Sequence, residues 1–85
     1  MKILYFAWLK TKTGTAEEEI SPPAAIATVA DLVEWLKGRS AGHADALSDL
    51  RLIRVAVNQD HVGLDHPVGP NDEVAFFPPV TGGGR

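Results

Sequence analysis

Apolar positions recur with two different periods along this 85-residue chain, and each change of period marks an element. Lys2-Ile3-Leu4-Tyr5-Phe6-Ala7-Trp8-Leu9 is apolar almost throughout and lacks a helix cap. It predicts a strand covered at least partly on both faces, hence central in its sheet. Lys10–Thr15 is polar with one glycine and reads as a loop. Ala16-Glu17-Glu18-Glu19-Ile20, stopped by Ser21-Pro22-Pro23, predicts a short edge strand blunted by its charges, with the three glutamates in solvent. The period then changes. Thr28-Val29-Ala30-Asp31 resembles a capping box with Asp in place of Glu, and Val29, Leu32, Val33 and Leu36 follow at helical spacing. A helix is expected over about 28–37, with Gly38 as a left-handed stop. Arg39–Asp49 reads as a loop with at most one short helical turn near Asp45–Ser48.

The alternating period returns at Ile53, Val55 and Val57, a strand with one buried face. Asn58-Gln59-Asp60-His61 starts a turn, Val62-Gly63-Leu64 is a short extended segment, and Asp65–Asp72 is rich in turn residues. Glu73-Val74-Ala75-Phe76-Phe77 is the last strand, stopped by Pro78-Pro79. The expected order is strand, strand, helix, strand, short strand, strand, with one domain over 1–79 and a Gly-rich tail over 80–85. The class is α+β, with a sheet of four to five strands and one main helix.

One helix covers one face of a sheet. In the last strand Val74 and Phe76 point one way, Ala75 and Phe77 the other; in the first, Ile3, Tyr5 and Ala7 oppose Leu4, Phe6 and Trp8. Both faces are apolar. Either irregular segments such as Arg39–Asp49 cover the second face, or it is an exposed patch that docks another protein.

Charge and composition narrow the classes of function. Eight Lys+Arg against eleven Asp+Glu give a net charge of −3, without the basic stripe that nucleic acid or an anionic membrane requires. No apolar run approaches the roughly 20 residues of a membrane span, and Met1–Leu9 is too short for a signal peptide. The absence of cysteine excludes disulfides, thiolate metal sites and cysteine-borne sulfur or acyl chemistry. The expectation is a cytoplasmic domain that binds neither nucleic acid nor membrane. So short a domain leaves little room for an enclosed active site. His43, His61 and His66 show no paired metal spacing, and Ser21, Ser40 and Ser48 have no base beside them in sequence, so no metal or nucleophile constellation is expected. The tail Val80-Thr81-Gly82-Gly83-Gly84-Arg85 has no side chain large enough to build regular structure. It is either an inert terminus or a segment able to thread a channel too narrow for other residues.

Several stretches together resemble a known family. They are Leu4-Tyr5-Phe6-Ala7, Thr28-Val29-Ala30-Asp31-Leu32, Val55-Ala56-Val57-Asn58-Gln59 and, above all, Asp72-Glu73-Val74-Ala75-Phe76-Phe77-Pro78-Pro79-Val80-Thr81-Gly82-Gly83. This pattern is similar to that of the molybdopterin synthase small subunits and covers nearly the whole chain. The resemblance implies a ubiquitin-like β-grasp fold. It also implies a sulfur carrier for molybdenum cofactor synthesis that is not an enzyme by itself. Its C-terminal glycine is adenylated by an activating enzyme related to those of ubiquitin, which uses ATP and metal. The glycine is then converted to a thiocarboxylate, which donates sulfur to cyclic pyranopterin monophosphate in the large synthase subunit, within a heterotetramer. By position, Gly83 is the sulfur-bearing residue after removal of Gly84 and Arg85, and Pro78, Pro79, Val80, Thr81 and Gly82 form the inserted tail. Phe6, Lys10, His61 and Phe77 fall at partner-docking positions, His61 where the family often has an aliphatic residue. No cofactor is expected on this chain. Two other readings are a β-grasp carrier or protein modifier of another pathway, such as thiamin or tRNA thiolation, and a binding module whose tail does nothing.

Overall fold

The best-defined local signal in the chain is the start of its main helix. In the computed structural model, which describes residues 1–79, the Thr28 hydroxyl accepts the Asp31 N–H at 3.2 Å. The Asp31 carboxylate in return accepts the N–H groups of Ala27 and Thr28 at 3.1 and 3.2 Å. These backbone donors, Ala27 first and then Thr28, hold the Asp31 carboxyl below its ordinary value. The box satisfies donors that the first turn leaves orphaned. From it runs α2 (Val29–Lys37), with Val29, Leu32, Val33 and Leu36 buried as the spacing predicts. Thr28→Ala should lower stability by about 1 kcal/mol and Thr28→Ser far less, measured by urea unfolding. Gly38 does not end the helix in the left-handed region: its φ is −80°, and its N–H bonds back to Leu36 and Trp35 carbonyls.

Five strands form one mixed sheet in the order β2-β1-β5-β3-β4. They are β1 (Lys2–Tyr5), β2 (Glu17–Glu19), β3 (Arg54–Val57), β4 (Asp60–Val62) and β5 (Glu73–Phe77). The central pair β1 and β5 is parallel; β1 with β2, β3 with β4 and β3 with β5 are antiparallel. A sheet of this order clasping one long helix is the β-grasp arrangement, and the α+β class is as expected. Ile3, Tyr5, Val55, Val57, Val74 and Phe76 alternate onto the covered face and meet the helix residues in one core.

The elements differ from the sequence reading in four places. First, the opening strand ends at Tyr5 rather than Leu9. Ala7 takes φ 55°, and Trp8–Thr13, read as the strand's end plus a loop, forms helix α1, which buries Leu9 completely and stops at Gly14 with φ 84°. That positive φ is what glycine supplies without steric cost. Second, Arg39–Asp49 is not chiefly loop. Ser40 caps a helix α3 (Ala41–Ala46), and a 3₁₀ turn follows at Leu50–Leu52. A Cβ at Gly42 would overlap the Lys12 carbonyl oxygen, so this glycine is what lets α3 approach α1. Third, Asn58 and Gln59 alone make the hairpin turn, both at positive φ (51° and 73°), so β4 spans 60–62 rather than 62–64. Fourth, the three glutamates are not all in solvent. Glu18 pairs in register with Ile3 and turns to the core side, where only 16% of its side chain is exposed.

Candidate functional site

The helices leave one sheet face open, and the registers define what it presents. Across one end, Glu19, Lys2 and Glu73 lie in a row, with Asn58 bonded to Glu73. Across the middle run Glu17, Leu4, Ala75, Ala56 and His61. At the other end Phe77 lies opposite Arg54, and Phe6 stands just past β1, its N–H bonded to the Phe76 carbonyl at 3.1 Å. The face thus grades from charged to apolar toward the point where Pro78-Pro79 leave β5. Phe6 is 48% exposed, and the exposed His61 ring lies 5.2 Å from the half-buried Phe77 ring. Of the two readings of the apolar second face, the exposed patch is the one realised, because α1, α2 and α3 all contribute to the core on the opposite side.

The expected docking residues fall at this end of the molecule. Phe6, His61 and Phe77 belong to the open face and its apolar end, and Lys10, exposed in the first turn of α1, follows Phe6 closely in the chain. Pro78 and Pro79 are half-buried at the tail's root. Val80, Thr81, Gly82, Gly83, Gly84 and Arg85 lie outside the described residues. The sequence parity already set Leu4 with Phe6 and Ala75 with Phe77, and alternated Arg54 and Ala56 with Val55 and Val57. What it did not give is the register that brings Arg54 opposite Phe77 and Ala56 opposite Ala75.

Two other features lie away from this face. One cleft, about 530 Å³, lies by the start of β1, away from the tail's root, against Met1, Ile20, Pro22, Pro23, Ile26 and Val68. No Asp, Glu, His or Lys side chain lines it, so it offers no side-chain acid or base. Among the described residues no group of three or more His, Cys, Asp or Glu is placed to hold a metal ion, and no helix is long and apolar enough to cross a membrane.

The second feature is a polar cluster behind β2. His43, buried on α3, places Nε2 2.9 Å from Glu18 Oε2 and Nδ1 2.7 Å from the Ser40 hydroxyl. The Tyr5 hydroxyl donates to the same Glu18 oxygen at 2.7 Å, and Arg39 reaches the other at 3.3 Å. Burial alone would raise the Glu18 carboxyl, but the hydrogen bonds from Tyr5 and His43 and the nearby charges of His43 and Arg39 hold it below its ordinary value. Burial, then the bond to Glu18, pushes the Tyr5 hydroxyl far above the usual phenol range. Tyr5 therefore stays a donor. The cluster is closed on itself: no buried side-chain nitrogen or oxygen among the described residues lacks a partner. It locks α3 to the sheet edge, and sequence spacing gave no sign of it.

A β-grasp body with one open apolar face leading to the root of a Gly-rich tail defines a class of ubiquitin-like carrier and modifier domains. The chain belongs to the ThiS family, whose model matches residues 3–83. It is 45% identical over 83 residues to the molybdopterin synthase sulfur carrier subunit of Escherichia coli, covering 98% of this chain and 99% of that one. Among solved structures, it resembles a Pyrococcus furiosus protein assigned as molybdopterin converting factor subunit 1. The TM-score is 0.76 at 34% identity, over 93% of this chain and 95% of the other. A chain of the Amycolatopsis orientalis BexX/CysO complex is also similar, with a TM-score of 0.72, 28% identity and coverage of 95% and 97%.

Proposed function

We propose that this chain is the sulfur-carrying subunit of a molybdopterin synthase, with Gly83 as the acceptor once Gly84 and Arg85 are removed. The observation that carries the reading is the apolar open face ending at the tail's root, in a chain 45% identical along its length to a molybdopterin synthase sulfur carrier. The chain itself supplies no catalytic side chain. Its terminal carboxylate attacks the α-phosphorus of ATP on a ubiquitin-activating-like enzyme, which holds the metal, and pyrophosphate leaves. Hydrosulfide from a sulfur donor then attacks the acyl carbon, the acyl–phosphate bond breaks and AMP leaves, giving a thiocarboxylate. Without cysteine, this acyl carbon is the position on the chain that can hold sulfur covalently in that way.

The body's role is to position the tail. Phe6 and Phe77 seat the open face on the large subunit, while Pro78 and Pro79, each with φ near −65°, aim Val80–Gly83 into its active site. Docking places the thiocarboxylate at high effective concentration beside the cyclic pyranopterin monophosphate. Intact-mass spectrometry of the protein from its own cells tests the reading. The expected species ends at Gly83 with one oxygen replaced by sulfur. A chain ending at Gly83 that stays unsulfurated after incubation with ATP, activating enzyme and sulfur donor would refute it.

A further inference from the structure

The cations of this chain are sorted by position. Lys2 pairs with Glu17, Lys12 with Asp45, Lys37 with Glu34, Arg39 with Glu18, Arg51 with Asp49 and the N-terminal ammonium with Glu19. Among the described residues, Lys10 and Arg54 are the lysine and arginine that meet no carboxylate within 4.0 Å. Both stand at the end where the tail leaves. In a chain with more acidic than basic side chains, two unneutralised cations flanking one apolar patch are the counterpart of an acidic partner surface.

Arg54 is the better placed of the two. It lies directly across from Phe77 in the β3–β5 ladder, on the open face. Its guanidinium is already anchored from behind: one terminal nitrogen donates to the main-chain carbonyls of Ile53 at 3.1 Å and Arg51 at 3.5 Å. The remaining N–H groups have no protein acceptor among the described residues. A guanidinium fixed at one nitrogen keeps a planar fork for a carboxylate and loses less freedom when it binds one. Arginine beside a partly buried aromatic is also the composition of interface positions that dominate affinity.

We infer that Arg54 is a specificity-determining residue of the docking face, receiving an Asp or Glu carboxylate that the large synthase subunit presents beside the entrance for the tail. The inference rests on the carrier reading above and adds a recognition element to it. Lys10 supports the same acidic surface from the α1 side as a more mobile point charge.

The test is the dissociation constant for the large subunit of the same organism, measured for the wild type and for Arg54→Ala, Arg54→Lys and Arg54→Glu, from about 50 to about 500 mM NaCl. At low salt, Arg54→Ala is expected to weaken binding by roughly 5- to 30-fold and Arg54→Glu by more, with Arg54→Lys recovering part of the loss. The wild type's affinity should fall more steeply with salt than that of Arg54→Ala, a difference that a purely structural role would not produce. Melting temperatures of the variants, expected to match the wild type, check that the body is intact. Affinities within twofold of wild type at every salt concentration would overturn the inference while leaving the carrier reading standing. A wild type that acquires sulfur but does not bind the large subunit would overturn the docking reading and this inference together.

Discussion

A chain ending at Thr81 is expected to fold and dock normally and to deliver no sulfur. β5 is held on both sides, by β1 and β3, and its core residues Val74 and Phe76 are fully buried, so the last strand is anchored by residues 73–77 themselves. Removing Gly82–Arg85 should therefore leave the melting temperature unchanged. If Gly83 carries the sulfur as proposed, activity should fall to the level of a reaction without carrier, because the terminal acyl carbon has been moved by two residues from that position. A chain ending at Gly83 should charge and transfer without processing. On the same reading the full-length chain should charge only after Gly84 and Arg85 are cut away, since Arg85 would add a bulky cation to an end proposed to enter a narrow channel. Thermal denaturation, thiocarboxylate detection by mass and a sulfur-transfer assay on the three chains check this. Sulfur delivery by the chain ending at Thr81 would sink the carrier mechanism. Equal charging of the full-length and Gly83-ended chains would remove the need for trimming.

The contrast between tail and body also explains what could be read from the sequence. The signals that were legible are local or strictly periodic. The Thr28–Asp31 box, the helix spacing through Leu36 and the alternation in β3 and β5 each place side chains by geometry that needs no distant partner. The two-sided apolar character of β5 likewise showed that a second apolar face needed a cover or a partner, and the structure decided between the two. What was missed depends on contacts far apart in the chain. Trp8 and Leu9 look like strand residues because they follow an apolar run, yet the turn at Ala7 rotates them onto α1, where Leu9 packs in the core. α3 has little helical propensity in Ala-Gly-His-Ala-Asp-Ala; Ser40 caps it, and packing against α1 and α2 fixes it in place. The expected docking positions Phe6, Lys10, His61 and Phe77 came from resemblance, whereas Arg54 needed the register to bring it opposite Phe77.

Glu18 is the clearest case of a long-range role hidden in a bland run, and its replacement should be the most costly single change outside the apolar core. Glu18→Ala strands the Tyr5 hydroxyl and His43 Nε2–H, both largely buried donors that now share one carboxylate oxygen. Losing charge-assisted bonds and leaving two donors unpaired should cost about 2–4 kcal/mol. For a domain of this size, that is a fall of roughly 10–25 °C in melting temperature. Glu17→Ala and Glu19→Ala, one residue away on the solvent side of the same strand, should change it little, since exposed pairs contribute at most about 1 kcal/mol. The pH dependence has a definite sign. Glu18's folded carboxyl titrates below its ordinary value of 4.5, so its contribution is fully present above that pH and is lost as pH falls through the lower folded value. Glu18→Gln, which keeps an acceptor for Tyr5 but cannot ionise, should be less destabilised at neutral pH than Glu18→Ala. Its margin below wild type should also shrink as the solution is acidified below about pH 4.5. Urea unfolding of the four variants from neutral pH down to about pH 3 measures both effects. A constant gap between Glu18→Gln and wild type across that range would show that the carboxylate's charge does not contribute to holding α3 against β2.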